Sequence, residues 1–437
     1  MRVAVIGSGV SGSLAARLLA SRHEVTLYEA ADHLGGHAQT VDVEVDGVRV
    51  AADVAFMVFN RRTYPNFCRM LELLGIDSRA SDMSFSVRCD ATGLEYQGSS
   101  LDGLFAQRRN AVDPRFWRMI ADIVRFNRSA RRAANNPAEL ANLSAGDFVE
   151  QCGVGRRFVS HYLAPMAAAI WSSRPSGVLA FPAPFLIGFF QNHGLLQLRD
   201  RPQWRTITGG SRRYVAALLS PLEEAGGIRT GDPVVAVERR PAGVAVRRAS
   251  GSEECFDEVV FATHADQTLA MLHRPTADER QVLSAFPYQP NRAVLHTDAS
   301  ALPSRSAAWA SWNYRLSTES DSPATVTYDL TRLQGLKTPR PLLLTLNPTT
   351  PIDPGSVIRE FHFTHPAYSA DSIGAQPRWD EISGRDRIHY CGAYWGYGFH
   401  EDGVNSALAV AKHFGIGLEA CTAACTRGSL PTAAGSR

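Results

Sequence analysis

Residues 2-RVAVIGSGVSGSLAARLLA-20 and 25-VTLYEAADHLGGH-37 decide the fold through the order of their residue types. An apolar run meets Gly7-Ser-Gly9-Val-Ser-Gly12. An alanine- and leucine-rich run to Ala20 follows, then a second apolar run that ends at Glu29. This order predicts strand, glycine turn, helix and strand, with an acid closing the second strand. Dinucleotide binding requires that order. Gly7 permits the tight turn, Gly9 lets the backbone approach a pyrophosphate, and Gly12 lets the helix pack on the strand. The helix N-terminus then turns its free N–H groups to the phosphates, with Ser11 in the same contact. Glu29 and the adjoining Ala30 fall where a carboxylate accepts from a ribose hydroxyl. Further on, Gly35-Gly36 can bring a second loop against the same pyrophosphate.

Bulk properties set bounds on the rest. A chain of 437 residues is too long for one simple core and predicts two domains. With 45% hydrophobic and 20% charged residues it reads as a soluble globular protein. A net charge of +2 gives no reason to expect a nucleic-acid partner. The first strand starts at residue 2, which leaves no room for a signal peptide, and no apolar run reaches the roughly 18 residues needed to span a bilayer. The nearest approach, 178-VLAFPAPFLIGFF-190, is interrupted by Pro182 and Pro184; it reads as an apolar wall, as a membrane-facing lip or as a buried helix–loop core. Seven scattered cysteines argue against a disulfide framework, and the Cys421/Cys425 pair lacks partners for a metal site. The expected location is cytoplasmic, with peripheral contact at the inner membrane face as an extension.

Along the chain, residues 41–50 alternate around Asp46-Gly47, a type I′ hairpin signature. Residues 83–98 alternate around a second glycine turn. From about 100 to 195 the pattern turns helical, with caps at Asp113-Pro114 and Ser144. The helix near 114–134 carries apolar residues on one side and interspersed arginines. It reads as a solvated domain surface or as a basic amphipathic helix for an anionic membrane. Strands are expected near 228–263, 292–298, 324–330, 341–346 and 358–363, and a last strand, loop and helix over 387–415. The tail from residue 419 is small and polar and is expected to be disordered.

These blocks resemble the flavin-containing amine oxidase and phytoene desaturase superfamily over residues 1 to about 416. The carrying features are the Gly7–Gly12 turn, Gly35-Gly36, the 209-GGS-211 turn, the Pro233-Val234 strand and the 402-DGVNSALAVA-411 helix start. The resemblance implies an α/β fold with a discontinuous Rossmann-type FAD-binding domain (1–80, 205–285, 386–418). A second domain of mixed sheet plus helices (81–204, 286–385) would hold the substrate. It implies FAD contacts at Asn60, Val234, Gly392, Asp402, Gly403 and Val404, besides those at the N-terminus. Many members carry arginine after the second glycine pair; here His37 stands there, mostly neutral at pH 7.

Longer blocks (171-WSS-173, 191–215, 262–269, 291-NRAVLHTD-298, 308-AWASWNY-314, 396-GYGFHEDG-403) are similar to a bacterial subgroup of FAD-binding oxidoreductases associated with fatty-acid methyltransferases. It includes a furan fatty acid desaturase. The resemblance implies an oxidoreductase desaturating a fatty-acyl or other apolar lipid by hydride transfer to flavin N5, with a lipid methyltransferase as a partner. Three alternatives stay open: a double-bond isomerase of unsaturated fatty acids, a flavin amine oxidase, and a flavin-binding accessory protein of the methyltransferase. Amine oxidases of the superfamily anchor a water with a lysine; placed by eye, His296 falls at that position and is the expected catalytic residue. Trp312, Tyr314, Tyr394, Trp395, Tyr397 and His400 are expected to wall the pocket, with His193, Trp204 and Arg205 nearby.

Overall fold

A computed structural model describes residues 1–197, 200–318 and 324–423. Arg2–Ile6 is the hub of a five-stranded parallel sheet, flanked by Glu24–Glu29 on one side and Glu258–Phe261 on the other. Ile228–Thr230 and Ile388–Tyr390 form its edges. The strands are near-continuous aliphatic runs because both faces are covered. Helix Val10–Leu19 lies on one face, packed against Arg212–Glu224 and His400–His413. The three-stranded sheet of Val234–Arg240, Gly243–Arg248 and Glu253–Phe256 lies beside the parallel sheet. Three separated parts of the chain thus build one layer.

A seven-stranded mixed sheet forms the second layer, in the spatial order Val357–Pro366, Tyr288–His296, Leu343–Leu346, Thr325–Asp329, Trp312–Leu316, Phe85–Cys89, Leu94–Gln97. Side chains alternate across it. One face carries Gln289, Asn291, Ala293 and Leu295, paired in register with His365, Phe363, Phe361 and Arg359. Ala293, Leu295 and Phe361 share a core with the buried helices Ala164–Trp171 and Ala183–Asn192. We call this the inner face. The other face is polar: Ser86 bonds Asn313, Thr327 bonds Thr345, and Thr345 bonds His296.

Several expectations find their place. Thr40–Val45 and Val48–Asp53 form the hairpin, with Asp46 and Gly47 at φ 47° and 81° as a type I′ turn requires. The arginine-rich helix spans Pro114–Ala134 and is capped by Asp113. In 178–190, Pro182 starts a helix whose Phe185, Leu186, Ile187, Phe189 and Phe190 are buried. That stretch is an interior wall, and the lip reading is corrected. Order also runs beyond residue 419: Leu418–Thr422 forms a turn and buries Cys421 completely. Residues 424–437, Cys425 included, lie outside the described residues. Among the described residues no helix is long and apolar enough to cross a membrane, and no cluster of His, Cys, Asp or Glu could hold a metal ion.

Candidate active site

Three glycine turns converge at the N-terminal end of Val10–Leu19. Gly7 has φ 101°, and a side chain there would meet the Ala262 carbonyl at 2.8 Å. At Gly12 a Cβ would lie 1.8 Å from the Gly7 oxygen, so helix and turn touch with no room for a side chain. Gly9 differs, because nothing lies within 4 Å of the position its Cβ would take. That open side is bounded by two further turns. A Cβ on Gly36 would stand 3.1 Å from Gly9 Cα, and one on Gly403 would lie 2.6 Å from Val10 Cγ1 and 2.9 Å from Ser11 Oγ. The N-terminal ends of the two helices thus meet at one place, but the expected donors are corrected: Gly403 lies one turn into His400–His413 and its amide donates to the Phe399 carbonyl at 3.1 Å.

The acid at the strand end is anchored there. Glu29 Oε2 accepts from the Ser8 amide at 2.9 Å and from Ser8 Oγ at 2.6 Å, and Oε1 accepts from the Ala31 amide at 3.0 Å. Ser8 Oγ in turn accepts from the Gly35 amide at 3.0 Å, tying the second glycine loop to the first. The Gly231 amide donates to the Glu29 and Ala31 carbonyls, which brings the chain leading into Val234 to the same end. A cradle with one open glycine, two helix N-termini and a carboxylate beside it fits a pyrophosphate with an attached ribose.

Where the cradle meets the second domain, the inner sheet face arrives end-on. His37, directly after Gly36, has its ring 5.5 Å from Phe363, 5.4 Å from His365 and 6.3 Å from His264. His264 caps the helix after Glu258–Phe261 and stacks on Tyr288 at 4.2 Å. Burial depresses all three histidines: His37 to about 3, His365 to about 4, and His264 below its ordinary value. All three are therefore neutral at pH 7. Nε2 of His37 is buried without a hydrogen-bond partner, a polar atom free to meet a ligand.

His365 is held from behind. Its Nδ1 lies 3.1 Å from Asn291 Nδ2 and 3.0 Å from Ser172 Oγ. Ser172 sits in the left-handed region at φ 54°, an uncommon place for a residue with a Cβ. Its carbonyl accepts from Gln289 Nε2 at 2.6 Å, so the helix end is fastened to the same strand. Beyond this junction Trp171, Phe185, Phe189, Tyr368 and Tyr397 form a continuous aromatic wall, with neighbouring rings 4.7–5.4 Å apart.

The structure separates the site residues expected from the sequence into groups. Gly7, Gly9, Ser11, Gly12, Glu29, Gly35, Gly36, His37 and Gly403 meet at the cradle, Val404 is fully buried in the core beside Val10 and Leu14, and Tyr397 is in the aromatic wall. Gly392 is tied behind it by its amide, which donates to Ser406 Oγ at 2.9 Å. Asn60 is not free to face a cofactor. Its Oδ1 accepts from the Arg62 and Thr63 amides, and its Nδ2 donates to Thr63 Oγ1, which spends the side chain on its own turn. Asp402 accepts from the Phe399 amide at 2.9 Å and fastens the loop before its helix; burial pushes its carboxyl up to about 7.

His400 is corrected from pocket wall to packing residue. It stacks on Phe56 at 3.4 Å and bonds the Tyr214 hydroxyl at 3.0 Å. Tyr394 and Trp395 pack on Phe286 in the core beneath the parallel sheet, away from the inner face. Trp312 and Tyr314 do lie on the inner-face core, but three strands across from Asn291.

His296 is also corrected. It lies on the polar outer face, fully buried, with Nε2 2.8 Å from Thr345 Oγ1 and Nδ1 accepting from the Asp298 amide at 3.1 Å. Its distance in sequence from Tyr288 corresponds to about 25 Å of strand. Both its face and its end of the strand are wrong for the cradle. Residues that sequence reasoning missed are His264, Asn291, Phe363, His365 and Ser172. Strand parity was the available signal, since an asparagine at 291 and a histidine at 296 cannot share a face.

Open glycine, paired helix N-termini and a parallel sheet beside a mixed one define a dinucleotide-binding fold. The profile described as "Flavin containing amine oxidoreductase" matches residues 10–322, and the chain belongs to that family. FAD is its cofactor and the protein is an oxidoreductase enzyme. Among solved structures, putrescine oxidase bound to putrescine superposes with a TM-score of 0.66 at 14% identity, covering 95% of this chain and 99% of that one. A fatty acid isomerase from P. acnes that produces CLA gives 0.67 at 15% identity, covering 94% and 98%. Cyclohexylamine oxidase from Brevibacterium oxydans IH-35A gives 0.67 at 14%, covering 95% and 99%. At these identities the likeness is one of fold. Among curated proteins, none matches the sequence.

Proposed function

We propose that this FAD-dependent oxidoreductase dehydrogenates an apolar, fatty-acyl substrate. The observation that carries the reading is the junction itself. The inner sheet face runs as Phe361, Phe363 and His365 into the cradle at His37, with aromatic walls and neutral histidines lining the contact, and with the carboxylates of Asp266 and Asp402 set behind His264 and behind Tyr368 and Tyr397. When bound, FAD supplies the two-electron acceptor for the hydride. The chain supplies orientation and exclusion of water. Phe363 and the Trp171–Tyr397 wall present apolar surface to an alkyl or alkenyl chain, while His37 and His365 offer it polar atoms at one point.

The junction residues are three histidines, an asparagine, a serine and phenylalanine, none of them a carboxylate. A cationic amine would find no charge partner among them, whereas a neutral chain has no need of one. Two of the solved structures act on amines and one on a fatty acid, so the fold serves both chemistries and the lining residues must decide.

The test is anaerobic mixing of the purified yellow protein with methylated or unsaturated fatty-acyl lipids and, separately, with mono- and diamines, followed by flavin absorbance near 450 nm. Bleaching by the lipids and not by the amines is the expected result. Bleaching by amines alone overturns the substrate class. Lipids that are isomerised while the flavin stays oxidised at the end would replace dehydrogenation with double-bond isomerisation.

A further inference from the structure

The described surface exposes seven large apolar side chains, and three of them fall within residues 101–117: Leu101 at 75%, Val112 at 83% and Trp117 at 49%. They form one knob. Trp117 packs its ring 5.5 Å from Phe105, and its indole N–H donates to the Ala111 carbonyl at 2.8 Å. With that donor satisfied inside the protein, the exposed part of the ring can enter hydrocarbon without stranding a polar group.

The same region carries the chain's charge asymmetry. Residues 101–134 hold eight arginines against three aspartates, although the whole chain is only +2. Of the aspartates, Asp113 caps the helix and pairs with Arg157, and the buried Asp122 lies 3.5 Å from Arg125. On Pro114–Ala134 the exposed positions include Arg118, Arg125, Arg128 and Arg132. Their spacing of 7, 3 and 4 residues puts them on one stripe, about 21 Å long. The Asp122 contact at Arg125 leaves Arg118, Arg128 and Arg132 as the stripe's main charges. Trp117 projects from the same exposed side. The opposite side, with Phe116, Met119, Ile123 and Phe126, is buried in the core that also holds Phe185 and Phe189.

We infer that this face docks the protein on an anionic phospholipid bilayer. The arginine stripe lies along the headgroups, and Leu101, Val112 and Trp117 insert below them. Charge selects the occupant. A basic stripe ending in an apolar, hydrogen-bond-satisfied knob matches a negative headgroup layer over hydrocarbon. Docked this way, the helical layer that covers the aromatic wall faces the lipid.

Vesicle binding can be measured on the FAD-loaded protein without turnover, so its failure is distinct from failure of the substrate reading. Co-sedimentation would use phosphatidylglycerol/phosphatidylcholine vesicles and pure phosphatidylcholine vesicles. Two variants are compared with wild type: Leu101→Ser/Val112→Ser/Trp117→Ser, and Arg118→Gln/Arg128→Gln/Arg132→Gln. Retained flavin absorbance shows that each is folded. We expect wild type to bind the anionic vesicles and to leave them in high salt. The arginine variant should bind on the order of 100-fold more weakly, at roughly fivefold per charge. The knob variant should lose binding even to anionic vesicles at low salt. No binding by wild type, or equal binding by wild type and both folded variants, overturns the inference. So does equal binding to both vesicle types.

Discussion

Asn291 Nδ2 stands 3.1 Å from His365 Nδ1, and the direction of that hydrogen bond is fixed by a neighbouring asparagine. The Arg292 amide donates to Asn347 Oδ1 at 3.0 Å, so the Asn347 amide group must turn its Nδ2 outward. It donates to Asn291 Oδ1 at 2.8 Å, which leaves Asn291 Nδ2 to donate to His365. Nδ1 of His365 is therefore an acceptor, and the proton of the neutral ring sits on Nε2. Asn347 holds its end of the chain at φ 46°, a left-handed backbone that asparagine tolerates better than most residues.

Replacing Asn291 by aspartate reverses this chain. A carboxylate accepts from Nδ1–H, moves the ring proton and raises the His365 pKa from about 4 toward neutrality. Asn291→Asp should keep its flavin, shift the acid limb of its pH–rate profile upward, and lose about 100-fold in kcat at pH 6. Asn291→Leu should lose turnover without that shift. Imidazole ¹⁵N chemical shifts report the tautomer directly, and an unchanged His365 signal in Asn291→Asp would refute the assignment.

Gly9 separates cofactor binding from folding. Its neighbours leave the Cβ position open for 4 Å, and its φ of −58° suits any residue. Gly9→Val should therefore unfold at nearly the wild-type temperature yet purify with little FAD. Gly12→Ala places a methyl 1.8 Å from a backbone oxygen and should lose several kcal/mol of stability along with the cofactor. Paired thermal melts and flavin-to-protein absorbance ratios make the comparison.

Local chemistry makes the cradle legible. Each glycine turn is a short-range event, in which a tight turn or a helix start needs glycine at a fixed offset. Gly7, Gly12, Gly35, Gly36 and Gly403 can thus be placed without knowing what surrounds them. The junction cannot be read that way. His37, His264 and His365 come from three distant segments, and only sheet register brings the last beside the first. His296 shows the failure in miniature. Sequence offset alone puts it near the flavin; parity sets it on the face opposite Asn291, but burial on both faces hides which of the two turns to the cradle.

His296→Ala is expected to behave as a packing mutation. It removes the ring from the Thr327–Thr345–His296 chain and leaves the Asp298 amide without its acceptor. A cost of about 2–4 kcal/mol in unfolding free energy follows from the cavity and the lost bonds. Turnover and FAD content at 20 °C should stay within about twofold of wild type, since the ring sits about 25 Å of strand from the cradle. Loss of more than tenfold in kcat with intact flavin would return His296 to the mechanism.

Acid should weaken this protein through its buried histidines, with Asp402, held at about 7, taking up its own proton in the fold and offsetting part of the loss. Burial holds His296 and His193 at about 4, while an unfolded chain returns them to about 6.5. Between those values the unfolded state binds more protons, so stability is full above pH 6.5 and falls as pH drops toward 4. At pH 5 each histidine that stays neutral in the fold accounts for roughly 2 kcal/mol of that loss. Urea titrations at pH 7.5 and pH 5 should show the midpoint moving down with an unchanged slope. His193→Phe, which keeps a ring stacked on Phe189 at a site where the imidazole lies 3.8 Å away, should recover part of the midpoint at pH 5 and little at pH 7.5. An equal effect at both pH values would mean that packing, and not the proton, sets the stability there.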